Sequence, residues 1–129
     1  MKPEDFAKTG KEYGHQVAFF QRCSLELKRY PELKWLHSNT NEEKTNSAIV
    51  GMRAKASGRK KGVSDICGPF KKGCYSGIYI ELKKLKQPGV GPSKEQLEFG
   101  EFVKTQGYFF TVAYGWEEAW NFMEYYLSL

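Results

Sequence analysis

Residues 78–83, with the sequence Ile-Tyr-Ile-Glu-Leu-Lys, constrain the fold of this chain more than any other segment. Successive side chains of a β-strand point to opposite faces, so one face carries the aliphatic residues Ile78, Ile80 and Leu82. The other face carries Tyr79, Glu81 and Lys83, and the last two lie about 6.6–6.8 Å apart along the strand. The pattern predicts a strand that buries an aliphatic face and presents a carboxylate beside an ammonium group on the other.

The N-terminal half predicts two helices joined by an extended piece. Thr9-Gly10-Lys11-Glu12 has capping-box spacing, so the first helix should begin at Thr9 and stop near Tyr30-Pro31. A short extended segment is expected at Leu33–His37, and a second helix at about Asn46–Ser57, ended by Gly58. The apolar stripe of the first helix is predicted to comprise Val17, Phe20, Leu25 and Leu27.

Strands and helices alternate in the remainder of the chain. Val63–Cys67 and Ser76–Lys83 are β-prone runs that predict an antiparallel hairpin. Ser93-Lys94-Glu95-Gln96 has capping-box spacing and predicts a third helix, which Gly107 should terminate. Tyr108–Tyr114 predicts an apolar strand, buried on both faces if it lies centrally. The last helix, Trp116–Leu129, should pack through Ala119, Trp120, Met123, Tyr126 and Leu127.

These elements, in the order α, α, β, β, α, β, α, predict an α/β fold with a small mixed sheet flanked by helices. The length of 129 residues suits a single domain, 1–129, because neither an internal repeat nor a low-complexity linker divides it. No apolar run approaches the ~18 residues of a membrane helix, and no signal peptide follows Met1, so we expect a cytoplasmic protein without a membrane partner. Three cysteines in unrelated spacing argue against a disulfide scaffold and a structural zinc domain.

Charge is distributed unevenly along the chain. Residues 1–52 carry a net charge of +1 and residues 95–129 a net charge of −5, whereas residues 53–94 carry +9. The only acids in that basic stretch are Asp65 and Glu81. Such a segment predicts an anionic partner, and nucleic-acid phosphates are the natural one.

Asp65 and Glu81 fall on the two strands of the predicted hairpin, so they should lie side by side. Adjacent carboxylates repel one another, and one of their pKa values rises unless a cation lies between them. Mg²⁺ relieves the repulsion, because it binds one or two carboxylates together with water and phosphate oxygens. The alternative is a solvated polar strand face, with Asp65 serving the turn before its strand.

The chain resembles the VRR-NUC branch of the PD-(D/E)xK nucleases, from about Glu12 to Leu127. The resemblance lies in the order and spacing of Gly62-Val63-Ser64-Asp65, Ile80-Glu81-Leu82-Lys83, Ser93-Lys94-Glu95-Gln96 and Gly107-Tyr108. The pair Glu12 and Gln16 and the segment Tyr30-Pro31-Glu32-Leu33 also match. Two features depart from the family: Ser64 stands where a proline usually precedes the metal-binding Asp, and the polar run 38–44 replaces an Asn-Gly-Gly-like loop.

The resemblance implies a restriction-endonuclease-like core and a set of site roles. Asp65, Glu81 and the backbone carbonyl of Leu82 would bind Mg²⁺ or Mn²⁺, with no organic cofactor. Lys83 would orient or deprotonate the attacking water and neutralise the transition state. Gln96 would fix that water or a phosphate, and Glu12 would reach the site through water or support a second metal. Helix capping remains the alternative for both Glu12 and Gln96.

Further basic residues are candidates for phosphate binding, either as a ridge before the hairpin or beside the site after Lys83. They are Arg53, Lys55, Arg59, Lys60, Lys61, Lys84 and Lys86. A solvated helix face is the alternative. Four aromatic residues, Tyr13, Phe19, Phe20 and Trp35, could stack on bases, although packing explains them more simply. His15 and His37 lack metal-ligand spacing and are expected to be structural.

The sequence therefore predicts a metal-dependent DNA endonuclease that reads DNA shape, since no base-reading module is present. Stand-alone members of the family resemble homodimeric Holliday-junction resolvases, which implies a four-way junction substrate and a twofold dimer. The C-terminal aromatic residues would serve either that interface or the core. The alternatives are a flap- or nick-directed repair or restriction-type nuclease, or a non-catalytic nucleic-acid-binding module.

Overall fold

A computed structural model describes residues 2–39, 52–53 and 55–129. In this part of the chain four strands form one sheet in the order β1-β2-β3-β4. They are β1 (His37–Ser38), β2 (Ile66–Gly68), β3 (Ile78–Lys83) and β4 (Phe109–Tyr114). β1 and β2 pair antiparallel, as do β2 and β3, whereas β3 and β4 are parallel. The sheet is mixed, and the predicted hairpin of β2 and β3 is confirmed.

Helices cover both faces of the sheet. They are α1 (Pro3–Phe6), α2 (Glu12–Leu25), α3 (Lys94–Thr105) and α4 (Trp116–Leu127), with 3₁₀ turns at Ala7–Thr9 and Pro31–Trp35. α3 connects the parallel strands β3 and β4, which need a crossover of this kind. The predicted α/β fold, a mixed sheet flanked by helices, is confirmed.

The main core lies between one face of the sheet and the helices α2 and α4. The even-numbered residues of β3 (Ile78, Ile80 and Leu82) are fully buried there, together with Ile66 of β2. α2 contributes Phe19, and all five predicted residues of α4 are buried in the same cluster. Strand alternation therefore assigns the aliphatic face of β3 correctly.

The opposite face of the sheet packs against α3. Tyr79 of β3 meets the ring of Phe99 edge-on, with ring centroids 5.1 Å apart. Gly100 lies directly against the ring of Phe110, the residue paired with Tyr79 on β4, so a larger residue has no room there. Since Glu81 has the same parity as Tyr79, its side chain points to the α3 side of the sheet.

The predicted start of the first helix is wrong. α2 begins at Glu12 with Lys11 as its N-cap residue, and the hydroxyl of Thr9 accepts a hydrogen bond from the Lys11 backbone N–H instead. Gly10 adopts a left-handed conformation with φ of 68°, which separates Thr9 from the helix. The buried face is also shifted, because the predicted stripe residues Leu25 and Leu27 are 63% and 40% exposed.

Three further expectations differ from the structure or cannot be compared with it. A 3₁₀ turn occupies most of Leu33–His37, where Pro31 at its first position favours a helical turn over an extended segment. β4 is an edge strand of the described sheet and only its Ala113 is buried, so the central position on which burial of both faces depended is not observed. Most of the predicted helix Asn46–Ser57 lies outside the described residues, although Gly58 does take a positive φ of 100°.

Within the described ranges, no helix has both the length and the apolar character needed to cross a membrane.

Candidate active site

Asp65 and Glu81 lie opposite each other at one end of the β2–β3 hairpin. Ile66 pairs with Ile80, so the same antiparallel register places Asp65, the residue before β2, across from Glu81. The Asp65 carboxylate accepts a hydrogen bond from the backbone N–H of Leu82 at 3.0 Å. This bond holds the Asp65 side chain over β3 on the side where Glu81 lies. The structure thus brings the two acids of the basic segment together.

The two carboxylates are removed from solvent. Asp65 is 9% exposed and Glu81 is fully buried. Neither Oε1 nor Oε2 of Glu81 has a hydrogen-bond partner among the described residues. The pKa of Glu81 is raised to about 8, mainly by burial and secondly by the neighbouring charge of Asp65. Glu81 is therefore a carboxylic acid in the folded protein at neutral pH unless a cation offsets the repulsion.

Lys83 places a positive charge beside this pair. Its Nζ lies 3.5 Å from Oε1 of Glu81, and its side chain is only 12% exposed. The attraction of Lys83 lowers the pKa of Glu81, but burial and Asp65 together outweigh it. At neutral pH this ammonium group therefore faces one carboxylate, Asp65, and the protonated acid Glu81, and ionisation of Glu81 would be favoured by a further positive charge.

The backbone of Leu82 faces the same site. The ladder between β2 and β3 ends at the pair Ile66–Ile80, two residues before Leu82. The N–H and C=O of one residue in an antiparallel strand point to the same side, so the Leu82 carbonyl points toward the Asp65 segment as its N–H does. The carbonyl oxygen is therefore available on the correct side to act as a further ligand.

These groups fit a hard divalent cation. Mg²⁺ and Mn²⁺ prefer oxygen ligands, and the site supplies two carboxylates and one backbone carbonyl. The donor-free oxygens of Glu81 are acceptors that a cation would satisfy. No group of three or more His, Cys, Asp and Glu side chains able to hold a metal occurs in the described ranges, so a metal here would depend on the two carboxylates together with backbone and water oxygens. A site of this composition leaves coordination positions for water and phosphate.

Gln96 lies in the first turn of α3, and the predicted capping box is present. Its Oε1 accepts from the Ser93 backbone N–H at 2.7 Å, and its own N–H donates to Oγ of Ser93 at 3.2 Å. The cap uses the amide oxygen of the side chain and leaves the NH₂ group to donate elsewhere. A capping role and a role at the site are therefore compatible in this residue.

Glu12 is the first residue of α2 and does not form the predicted capping box with Thr9. One turn later on the same helix face, Gln16 donates from Nε2 to Oγ of Ser38 at 2.9 Å. Asn39, the residue that follows β1, donates its N–H to the Asp65 carbonyl at 2.7 Å. The α2 face that carries Glu12 is thus connected through β1 to the Asp65 backbone.

The basic residues predicted to bind phosphate differ in their exposure and in their contacts. Arg53, Lys55, Lys60 and Lys86 are exposed, whereas Arg59 and Lys84 are half-buried. Lys61 pairs with Glu95 of α3 at 3.7 Å, and Lys86 lies over the ring of Tyr114, 5.6 Å from its centroid. Of the aromatic candidates for base stacking, Tyr13 and Trp35 are 78% and 63% exposed, whereas Phe19 is buried.

Other chemistry-bearing residues have structural surroundings. His15 is buried, and its Nδ1 accepts from the backbone N–H of Trp116, so it caps the start of α4 in neutral form. Burial lowers the pKa of His15, in agreement with that role. Cys23, Cys67 and Cys74 are free thiols. Most of the C-terminal aromatic residues pack in or against the core, and Tyr125 is 57% exposed.

Two neighbours of the site were not singled out from the sequence. Cys67 and Tyr79 are directly paired across β2 and β3, one step along the same face from Asp65 and Glu81. Strand parity alone could have identified them, because they stand two residues from each acid. The capping role of His15 carried no sequence signal, since its partner is 101 positions away.

No protein-family model and no curated protein matches the chain. Among solved structures, it is similar to a VRR_NUC domain protein, with a TM-score of 0.73 covering 92% of this chain and 89% of that chain. The chain has the VRR-NUC fold. The two sequences are 20% identical, so the likeness is one of fold. The VRR-NUC resemblance carried by the sequence motifs is confirmed at that level.

Proposed function

We propose that this chain is a divalent-metal-dependent, structure-selective DNA endonuclease that hydrolyses phosphodiester bonds. The observation that carries the proposal is the buried pair of Asp65 and Glu81, with the Lys83 ammonium 3.5 Å from Glu81 and no hydrogen bond to the Glu81 oxygens from the described part of the chain. A buried acid pair of this kind costs stability in the absence of a cation, so its presence favours a functional role. The VRR-NUC fold and the basic segment support the same conclusion.

Asp65, Glu81 and the Leu82 carbonyl would hold the Mg²⁺ or Mn²⁺ ion. When bound, such an ion stabilises the charge that develops on the scissile phosphate and lowers the pKa of water. The hydrogen bond from Leu82 to Asp65 fixes one ligand relative to the other, so the carboxylates are positioned before the ion arrives.

Lys83 acts beside the ligands. Its ammonium group is held near Glu81 with little exposure, so it can donate to the attacking water or to a phosphate oxygen and balance the charge of the transition state. The Gln96 NH₂ group can hold the same water or phosphate while its oxygen maintains the cap. Hydrolysis adds the water oxygen to phosphorus, breaks one P–O ester bond and passes a proton to the departing oxygen.

Four-way junctions are the proposed substrate, cleaved by a homodimer. Two active sites related by a twofold axis would cut two strands symmetrically. The exposed cations Arg53, Lys55, Lys60 and Lys86 would bind phosphates and orient the DNA by its shape.

The test is cleavage of labelled four-way, flap, splayed and linear duplex substrates by the pure protein with Mg²⁺ or Mn²⁺. Glu81→Ala and Lys83→Ala should each reduce the rate by at least about 100-fold, because the first removes a ligand of the metal ion and the second removes the ammonium group that balances the charge of the transition state. Glu98→Ala and Lys104→Ala, which change exposed residues of α3, are the matched controls and should retain the wild-type rate.

Each outcome separates the proposal from an alternative. Full activity in Glu81→Ala or Lys83→Ala would contradict the mechanism. Equal cleavage of linear duplex and junction would contradict junction selectivity, and preference for flaps would favour a repair-type nuclease. Junction binding without cleavage by either ion would favour a non-catalytic binding module. A strictly monomeric mass in solution would contradict the homodimer.

A further inference from the structure

The loop that leads to Asp65 crosses the first turn of α3 at Gly62. This residue has φ of +95°, a left-handed conformation that L side chains rarely adopt. A Cβ atom on Gly62 would lie 2.6 Å from the backbone oxygen of Glu95 and 2.7 Å from its carbonyl carbon. Both atoms belong to the backbone of a helix, so no change of rotamer could make room. Two backbone segments meet here at a distance that only glycine permits.

The α3 side of this contact is the firmer side. The reciprocal cap between Ser93 and Gln96 closes the first turn, and the helix is packed on the sheet through Phe99 and Gly100. By contrast, residues 58–61 lie outside any helix or strand and are mostly exposed. A side chain at position 62 would therefore displace the loop rather than the helix.

The displacement would be transmitted to Asp65 over a short and constrained path. Only Val63 and Ser64 separate Gly62 from Asp65, and Ser64 is fully buried. At the far end of this path, Asp65 depends on its bond to the Leu82 N–H and on its position opposite Glu81. Lys61, which pairs with Glu95 at 3.7 Å, fastens the loop to α3 on the other side of Gly62.

We propose that Gly62 is a positioning residue, whose contact with the Glu95 backbone sets the placement of Asp65 against Leu82 and Glu81. The purpose of that placement is cation binding by the acid pair, and this part of the inference rests on the proposed function. Gly62 itself contacts no reacting group, and its effect passes through Asp65.

Gly62→Ala tests the proposal, with Gly58→Ala as its matched control. Gly58 has φ of +100° and no atom of the described residues within 4 Å of its would-be Cβ. Both substitutions introduce the same left-handed strain, four residues apart in the same connection, but only Gly62→Ala introduces the backbone contact. A difference in behaviour between the two variants therefore reports the effect of the contact between position 62 and the Glu95 backbone.

The first readout needs neither metal nor activity. Amide hydrogen exchange of Leu82, followed by NMR in the metal-free protein, reports its bond to Asp65. Gly62→Ala should accelerate this exchange at least about tenfold while the amide of Met123 in the core keeps its rate, because the change is local. Gly58→Ala should leave both amides as in the wild type.

The second readout is the affinity for Mn²⁺, measured by titration of the free ion by electron paramagnetic resonance. Gly62→Ala should weaken Mn²⁺ binding at least about tenfold, and the Mn²⁺ concentration for half-maximal cleavage should rise by a similar factor, because loss of the contacts that orient a metal ligand has effects of this size. Wild-type Leu82 exchange and Mn²⁺ affinity in folded Gly62→Ala would overturn the inference. If the wild type itself binds no Mn²⁺, the proposed function fails, and Leu82 exchange still decides the role of Gly62.

Discussion

Replacing Glu81 by glutamine should make the metal-free protein more stable at neutral and alkaline pH. The folded chain holds the Glu81 proton with a pKa of about 8, whereas the unfolded chain releases it near 4.5. Between those values the folded state binds more protons than the unfolded state, so the free energy of unfolding falls as the pH rises. Glutamine has the shape of the protonated acid and removes this dependence.

The size of the effect follows from the two pKa values. Each tenfold difference in proton affinity corresponds to about 1.4 kcal/mol, so the buried acid would cost less than about 1 kcal/mol at pH 5 and roughly 4 kcal/mol at pH 8. This cost belongs to Asp65 and Glu81 as a pair, since the charge of each affects the other. For a protein of ordinary stability, roughly 5–15 kcal/mol, the difference is large.

Urea unfolding in EDTA measures the free energy of unfolding of the wild type and of Glu81→Gln at pH 5 and at pH 8. Glu81→Gln should gain a few kcal/mol over the wild type at pH 8 and little at pH 5, while saturating Mn²⁺ should stabilise only the wild type appreciably. Glu98→Gln, at an exposed position of α3, is the control and should change stability by less than about 0.5 kcal/mol. An equal or lower stability of Glu81→Gln at pH 8 would refute the assignment of Glu81 as a strained, protonated acid.

Substitutions at two further positions, Gln96 and Ser64, test individual hydrogen-bonding groups. Gln96→Glu should keep the cap and the melting temperature but reduce the cleavage rate. Gln96→Ala should reduce the cleavage rate and also lower the free energy of unfolding by about 0.5–1 kcal/mol. Wild-type cleavage rates in both variants would restrict Gln96 to capping. Ser64→Ala should raise the free energy of unfolding by up to about 1 kcal/mol, because the buried Ser64 hydroxyl has no hydrogen-bond partner in the described ranges. A loss of stability in Ser64→Ala would show instead that this hydroxyl is satisfied in solution.

Local patterns predicted those parts of the fold in which short-range physics and packing agree. The alternation of residues 78–83 assigned both faces of β3, and the spacing of Ser93 and Gln96 identified a cap that is present with both of its hydrogen bonds. The Thr9 motif has the same spacing but fails, since Gly10 takes a left-handed conformation and ends a preceding 3₁₀ turn. The apolar composition of β4 left its place in the sheet open, because strand order is set by tertiary contacts that composition does not encode.

The candidate site likewise contains some features that followed from sequence patterns and others that did not. The proximity of Asp65 and Glu81 followed from the hairpin, because their strands are neighbours in sequence and register is fixed by the buried face. The Leu82 N–H bond to Asp65 and the contact between Gly62 and Glu95 did not follow. Each depends on how backbone segments lie against one another, and no residue pattern specifies that distance.

The edge strand β4 has a consequence for the behaviour of the protein at high concentration. Its sequence Phe-Phe-Thr-Val-Ala-Tyr has no charge and no proline, which is typical of strands that recruit other strands and aggregate. The N–H of Tyr114, at the end of β4, already donates to the carboxylate of Glu118 at 3.2 Å, and Lys104 lies over the ring of Phe110. We expect the charges of Glu118 and Lys104, which lie beside this edge, to oppose the pairing of β4 with strands of other molecules.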